Sequence, residues 1–416
     1  MMAQGARNYT IVTAAYWGFT LTDGALRMLV LLHFFQLGYS PFVLSFLFLL
    51  YEAAGIAANF IGGWLATRFG ITRMLTVGLI TQIIGFLVLS ALSPDWAAAV
   101  SVAWVVAAQG ICGIAKDLTK TASKSAIKVA EKDARAENAG SRLFKWVAWF
   151  TGSKNAMKGL GFFLGGLLLQ VLGFRLSLWI MAATLALILV GVLTALPPMM
   201  GKSKASSSAR ELFGKSSAVN LLAAARIFLF GARDVWFVVG VPVFLYANGW
   251  TFTMVGTFMA AWTIFYGAVQ AAAPALIRRS TDGLSREVPA ARVWSALLAL
   301  VPALIVVGLA MNLPVRPDVI LVAGLAVFGA AFAINSSLHS YLILAYAGSE
   351  KAAEDVGFYY AANAAGRFTG TLLSGLLYQW GGLTACLAGS SLMLAACFLT
   401  TLALPQSGTA AAGADT

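Results

Sequence analysis

Apolar runs of roughly 20 residues or more, separated by short polar or charged breaks, recur from one end of the chain to the other. Wound as α-helices, runs of that length match the hydrocarbon thickness of a bilayer. Dividing them at turn and charge signals predicts twelve spanning helices. The first six cover roughly 9–36, 41–66, 72–92, 97–127, 142–172 and 174–196. The second six cover roughly 218–247, 252–277, 292–312, 317–346, 354–381 and 383–404. Pro197-Pro198 and the Ser-rich basic stretch behind them stop a helix and open a polar linker. The pattern therefore reads as two six-helix halves, 1–196 and 218–404, a cytoplasmic linker at 197–217 and a small polar disordered tail at 405–416.

Composition agrees with an all-α transmembrane class. The 416 residues are 60% hydrophobic and 11% charged, with a mean hydropathy of +0.83, whereas soluble domains are about 25% charged. The formal net charge of +12 would suit nucleic acid or a membrane surface. No basic block interleaved with aromatics accompanies it, so the expected surroundings are a lipid bilayer and no nucleic acid. The basic residues outside the spans gather on one side. Arg7, Arg68, Arg73, Lys128, Lys132, Arg135, Arg142, Lys202, Lys204, Arg210, Lys215, Arg278, Arg279, Arg286, Arg292 and Lys351 share it, while the other side has only Arg175 and Arg316. Positive charge concentrates in cytoplasmic connections. Both termini and the linker are thus expected in the cytoplasm, in agreement with an even number of spans. No small-residue cleavage site stands out ahead of the first span, so no cleavable signal is expected.

The halves echo one another. An offset of 211 lays Asp23 on Asp234 and Gly38 on Gly249. An offset of 209 lays Lys158 on Arg367, Gly166 on Gly375 and Gln170 on Gln379, and one of 219 lays Gly110 on Gly329 and Lys120 on His339. A two-half repeat is the pattern of transporters that rock around a site near the bilayer midplane.

Charge inside the spans is the feature that carries chemistry. Lys116, Lys120 and Lys124 recur every four residues, and Lys154 and Lys158 repeat the spacing on the next helix, so each set shares a helix face. With Arg27, Lys145, Arg226, Arg233 and Arg367 they make ten cations against four acids, Asp23, Glu52, Asp117 and Asp234. Charges at membrane depth face a bundle interior or a water-filled path. Arginine suits bidentate contact with phosphate-like oxygens and lysine acts as a point charge. The expected partner is therefore a small anionic substrate, held by Arg27, Lys116, Lys120, Lys154, Lys158, Arg233 and Arg367. Asp23, Glu52, Asp117 and Asp234 are the candidates for coupling or charge balance. Asp23 and Arg27, four apart, are placed to neutralise each other. Asp117 is expected to partner another helix, and adjacent Arg233 and Asp234 to face apart. Lys124, Lys145 and Arg226 are expected to snorkel to the interface.

Cys112, Cys386 and Cys397 form no CxxC pair, so no disulfide framework, thiolate metal site or other cofactor is expected. His33 and His339 lie on distant spans and no nucleophile motif occurs, which argues against an enzyme and leaves no catalytic residue to name. His33 reads as structural.

After the second span the chain reads GGWLATRFGITR, from Gly62 to Arg73. This resembles the signature loop of the major facilitator superfamily at Gly63, Leu65, Arg68, Gly70 and Arg73, with Thr67 where that family usually has an acid. The resemblance implies that family's twelve-helix fold and assigns Gly63, Arg68, Gly70 and Arg73 to a gating loop. The runs FTLTDGALRMLVLLHF, GIAKDLTKTASKSAIK and GSKNAMKGLGFFLGG are similar to the organoarsenical efflux permeases of that superfamily, the ArsJ type. That resemblance implies inner-membrane export of 1-arseno-3-phosphoglycerate, arsenate resistance and a functional link to glyceraldehyde-3-phosphate dehydrogenase, which forms the ester. A monomer is expected. Transport or exchange of organic phosphate esters, such as glycerol phosphate or sugar phosphate, requires similar cations and is the alternative.

Overall fold

The computed structural model describes residues 2–133, 139–197, 200, 215–277, 280, 282–311, 314–347 and 352–406. The helices are α1 (Met2–Gln36), α2 (Pro41–Phe46), α3 (Leu49–Phe69), α4 (Ile71–Ser90), α5 (Ala98–Asp133), α6 (Ala139–Ala195), α7 (Ser217–Phe237), α8 (Gly240–Ala247), α9 (Phe252–Leu276), α10 (Glu287–Ala310), α11 (Pro317–Tyr346) and α12 (Ala352–Leu402). Among the described residues, ten helical stretches are long and apolar enough to cross a membrane. Two of them, Ser153–Ala195 and Gly357–Leu402, run 43 and 46 residues. One crossing takes roughly 20 residues, so each has the length of two. Each is also broken where the second crossing should begin, at Gly173 in α6 and at Gly381 and Gly382 in α12. The ten stretches therefore accommodate twelve crossings.

The long seventh span is interrupted for a visible reason. Proline lacks an amide hydrogen and its ring clashes with the carbonyl four residues earlier. Pro242 accordingly separates α7 from α8. The amides freed at the break are not left bare: Val239 and Gly240 both donate to Ser374 Oγ, at 3.1 and 3.2 Å.

The chain forms two compact units. The first comprises Met1–Leu37, Leu50–Ser207 and Thr251–Ile264, and the second Gly38–Leu49, Ser208–Trp250 and Phe265–Thr416. In the first, α1 packs on α6 and α4 on α5. In the second, α7 packs on α12, and α10 on α11 and α12. The two main packings need glycine. A Cβ on Gly161 would collide with the Leu21 carbonyl, and one on Gly370, offset by 209, with the Gly231 carbonyl. Large apolar side chains such as Val171, Leu187, Leu304 and Leu392 stand exposed. On a membrane-spanning chain that surface is covered by hydrocarbon.

The repeat is written into the backbone. Among the described residues, six glycines have positive φ: Gly38 and Gly249 (86° and 87°), Gly70 and Gly283 (80° and 69°), and Gly173 and Gly382 (73° and 61°). They pair between the halves at offsets of 211, 213 and 209, in the same order along each half. Only glycine enters that region without steric cost, so the same three turns are required twice. Gln170 and Gln379 repeat as well. Gln170 Oε1 accepts from the Thr253 amide at 3.1 Å, capping the start of α9, and Gln379 Oε1 accepts from the Phe42 amide at 3.2 Å at the start of α2.

Candidate functional site

In the first unit, α1, α3 and α5 bring one polar cluster together inside apolar helices. Arg27, 5% exposed, pairs with Glu52, 1% exposed. Asp23 does not depend on its i+4 neighbour: the Tyr51 hydroxyl donates to it, 2.6 Å from Oδ1 and 2.8 Å from Oδ2. The same tyrosine ring receives the Lys116 ammonium 3.8 Å from its centroid and Arg27 Cζ at 5.3 Å, both within range for cation–π attraction. Tyr51 thus serves one acid through its hydroxyl and two cations through its face. Asp117 stays on its own helix, with Lys116 Nζ at 3.8 Å and Lys120 Nζ at 3.5 Å, rather than partnering another. Consecutive Lys116 and Asp117 meet because the lysine stem is long enough to fold back around the helix.

On α6, Lys154 and Lys158 are half-buried. Lys158 Nζ lies 5.7 Å from the Phe162 centroid, and Ser153 Oγ accepts from Trp17 Nε1 of α1 at 3.1 Å. Glycines hold α6 close to its neighbours here. Gly161 and Gly165 face α1, and Gly159 and Gly166 face α9.

Replacing Tyr51 with phenylalanine separates its two functions. The ring and its cations remain, while Asp23, 7% exposed, loses the donor on both oxygens. A buried acceptor stripped of its partner costs about 1–3 kcal/mol. Thermal unfolding in detergent should show that loss for Tyr51→Phe and a larger one for Tyr51→Leu. Equal melting of Tyr51→Phe and wild type would mean that the hydroxyl does not hold Asp23.

In the second unit, Asp234 is the centre. It is 1% exposed. Arg233 Nε donates to its Oδ1 at 2.7 Å, and Arg367 Nε of α12 to its Oδ2 at 3.3 Å. The expectation that adjacent Arg233 and Asp234 face apart fails, because the guanidinium reaches back across the helix. Asp234 thus balances two cations, Arg233 and Arg367. Arg233 also lies over Phe230, Phe332 and Phe237, with Cζ 4.9, 5.6 and 5.7 Å from their centroids.

Arg226 does not snorkel. It is 4% exposed and donates from Nη1 to the carbonyl oxygen and Oγ of Ser336, each at 3.1 Å. The side chains of Lys124 and Lys145 fall outside the described residues. Of the charges that the sequence singles out inside the spans and whose side chains are described, the first unit holds Arg27, Lys116, Lys120, Lys154 and Lys158 against Asp23, Glu52 and Asp117. The second holds Arg226, Arg233 and Arg367 against Asp234. Among these described charges, cations outnumber acids in each unit.

The gating-loop residues are partly visible. Gly70, at φ 80°, starts α4 without a side-chain cap, and Arg73 is exposed; the side chains of Gly63 and Arg68 lie outside the described residues. The first four amides of a helix lack internal acceptors. Here the linker supplies one, since Ile71 donates to the Met200 carbonyl at 2.8 Å, and Thr72 Oγ1 adds a bond to the Pro197 carbonyl at 2.7 Å. The second half has a counterpart loop that the sequence reading missed, ending in Gly283 and Arg286. The repeat of Gly-x-x-Arg at an offset of 213 was the available signal. Its Asp282 accepts from Ser285 Oγ at 2.9 Å and from the Leu284 and Ser285 amides, each at 3.1 Å. These donors, with the Ser280 hydroxyl foremost, hold its carboxyl below the usual range.

His33 stacks on Phe174 with centroids 4.2 Å apart, the structural place expected of it. Cys112, Cys386 and Cys397 are all buried and free. No group of His, Cys, Asp and Glu suited to a metal occurs among the described residues.

The family model described as Major Facilitator Superfamily matches residues 10–353. No match by sequence was found among curated proteins. Among solved structures, a mutant form of the nucleoside transporter NupG is 15% identical, with a TM-score of 0.72 over 95% of this chain and 98% of that one. A D-xylose–proton symporter is 13% identical, with a TM-score of 0.70 over 97% and 98%. A POT family transporter, crystallised with a thioalcohol-conjugated peptide, is 13% identical, with a TM-score of 0.72 over 95% of each chain. At these identities the likeness establishes the fold.

Proposed function

The chain belongs to the Major Facilitator Superfamily and is a multi-pass membrane transporter, and from that premise we propose that it exports the anionic organoarsenical 1-arseno-3-phosphoglycerate by alternating access and so confers arsenate resistance. The observation that carries the reading is that cations outnumber acids among the described charges deep in the spans of each unit. An excess of cations over acids inside the spans is costly, and an anionic substrate offsets it. Arg367 and Arg233 are groups suited to a planar bidentate contact with a phosphate-like group. Lys116, Lys120, Lys154 and Lys158 are point charges for such a group, and Arg27 stands on Glu52 in the same unit as these lysines.

Cysteine placement favours the pentavalent arsenic of such an ester. Trivalent arsenic is thiophilic and binds clustered thiols, whereas the three cysteines here are buried on α5 and, about 16 Å apart along the helix at 1.5 Å per residue, on α12. The reading places the protein in a bacterial inner membrane as a monomer with both termini cytoplasmic. It depends on glyceraldehyde-3-phosphate dehydrogenase to form the substrate.

The test is arsenate resistance in a sensitive host carrying that dehydrogenase. Wild type should protect, and Lys158→Ala and Arg367→Ala, one cation from each half at an offset of 209, should each abolish protection at matched membrane expression. Normal protection by both variants would remove them from the site. Failure of the wild type to protect, together with uptake or exchange of glycerol phosphate in vesicles, would replace the exporter with a carrier of organic phosphate esters.

A further inference from the structure

Arg226 belongs to none of the groups assigned above. It lies on α7 two turns before Arg233, about 10 Å nearer the linker at 1.5 Å per residue. Phe230 stands between them on the same face, its centroid 4.1 Å from Arg226 Cζ and 4.9 Å from Arg233 Cζ. The Tyr359 ring covers the guanidinium at 4.8 Å. Both hydrogen bonds leave from Nη1, while Nε is buried with no acceptor, and no carboxylate pairs with Arg226 among the described residues. The edge left unbonded, Nε with Nη2, is the one through which a guanidinium binds two oxygens side by side. His339 lies one turn beyond Ser336 on the same face of α11. It is fully buried, neither ring nitrogen has a partner, and it is within electrostatic reach of Arg226.

We propose that Arg226 binds a tetrahedral oxyanion through its Nε–Nη2 edge, with the His339 imidazole supplying a further N–H, as a subsite on the linker side of Arg233 and Arg367. The ligand class, a phosphate- or arsenate-type group, rests on the anionic-substrate reading. Its source is either the phosphoryl end of the transported ester or free inorganic phosphate. The residue types explain why one cation here is an arginine clamped at Nη1. The Ser336 contacts fix the plane of the guanidinium and aim the other edge, and the two rings exclude water from its faces.

The test uses the full-length protein in detergent, titrated with inorganic phosphate, with 3-phosphoglycerate, and with chloride at matched ionic strength. Binding is read by calorimetry and thermal stabilisation. Wild type should bind phosphate saturably and chloride not at all. Arg226→Lys keeps the charge but reduces a paired contact to a single one, and should weaken phosphate at least ~tenfold. His339→Gln should weaken it by a smaller factor, and decides the matter if Arg226→Lys does not fold. Weakening of both phosphate and the ester identifies the substrate's phosphoryl end; weakening of phosphate alone identifies a separate free-anion site. Wild type that binds neither probe, or unchanged affinities in the foldable variants, overturns the proposal. Absence of arsenate resistance alongside Arg226-dependent phosphate binding would sink the exporter reading and leave this one standing.

Discussion

An Asp234→Ala variant is expected to lose about 3–5 kcal/mol of stability, the cost of removing one partner from a buried ion pair. Asp234 is bonded to both Arg233 and Arg367, and the three come from consecutive positions of α7 and from α12. Without it both guanidinium groups lose the carboxylate that they share. The same loss should disable transport, because Arg367 would no longer be held. Unfolding by heat or denaturant in mild detergent measures the first effect, with Asp234→Asn as the variant of equal size. Phosphate added to Asp234→Asn should restore part of the lost stability, since binding to the folded state alone stabilises it, and the two arginines would then share the added anion. Variants that unfold with the wild type would show that the arginines are neutralised by something other than Asp234.

The large features of this fold are legible because membrane crossing imposes a length, a composition and a charge rule that a single sequence displays. The repeat is legible at positions where backbone geometry tolerates little substitution. Gly38 and Gly249 match in sequence because both turns need positive φ, and Gln170 and Gln379 match because both cap a helix start. Side-chain partnerships are another matter. A helical wheel assigns Lys116 and Asp117, or Arg233 and Asp234, to different directions, but lysine and arginine reach several ångströms back around the helix and meet the neighbouring acid. Tyr51 is one aromatic in an apolar run, and nothing local marks it as the residue beneath Lys116. Arg226 sits at a depth from which snorkelling is feasible, and only the tertiary position of Ser336 and Tyr359 turns it inward.

The partnerships bear on energy coupling. Of the four in-span acids, Asp23 receives Tyr51, Glu52 receives Arg27, Asp117 receives Lys116 and Lys120, and Asp234 receives Arg233 and Arg367. Each already has a donor, and three of the four balance cations, so a proton carried on any of them would unbalance a buried pair. Export of a multiply charged anion does not need that proton. The cell interior is negative, so outward movement of net negative charge runs downhill by roughly 2.3 kcal/mol per charge per 100 mV. Two net charges moved would sustain a gradient of about three orders of magnitude, since ~1.4 kcal/mol is tenfold. We therefore expect electrogenic efflux with no obligatory proton exchange. In proteoliposomes with a potassium-diffusion potential and no pH gradient, transport should follow the sign and size of the potential. It should also persist in Asp23→Asn, the acid whose partner is a neutral hydroxyl rather than a cation. Transport that ignores the potential and follows an imposed pH gradient would overturn this, and would make Asp23, Glu52 and Asp234 the groups to test as proton carriers.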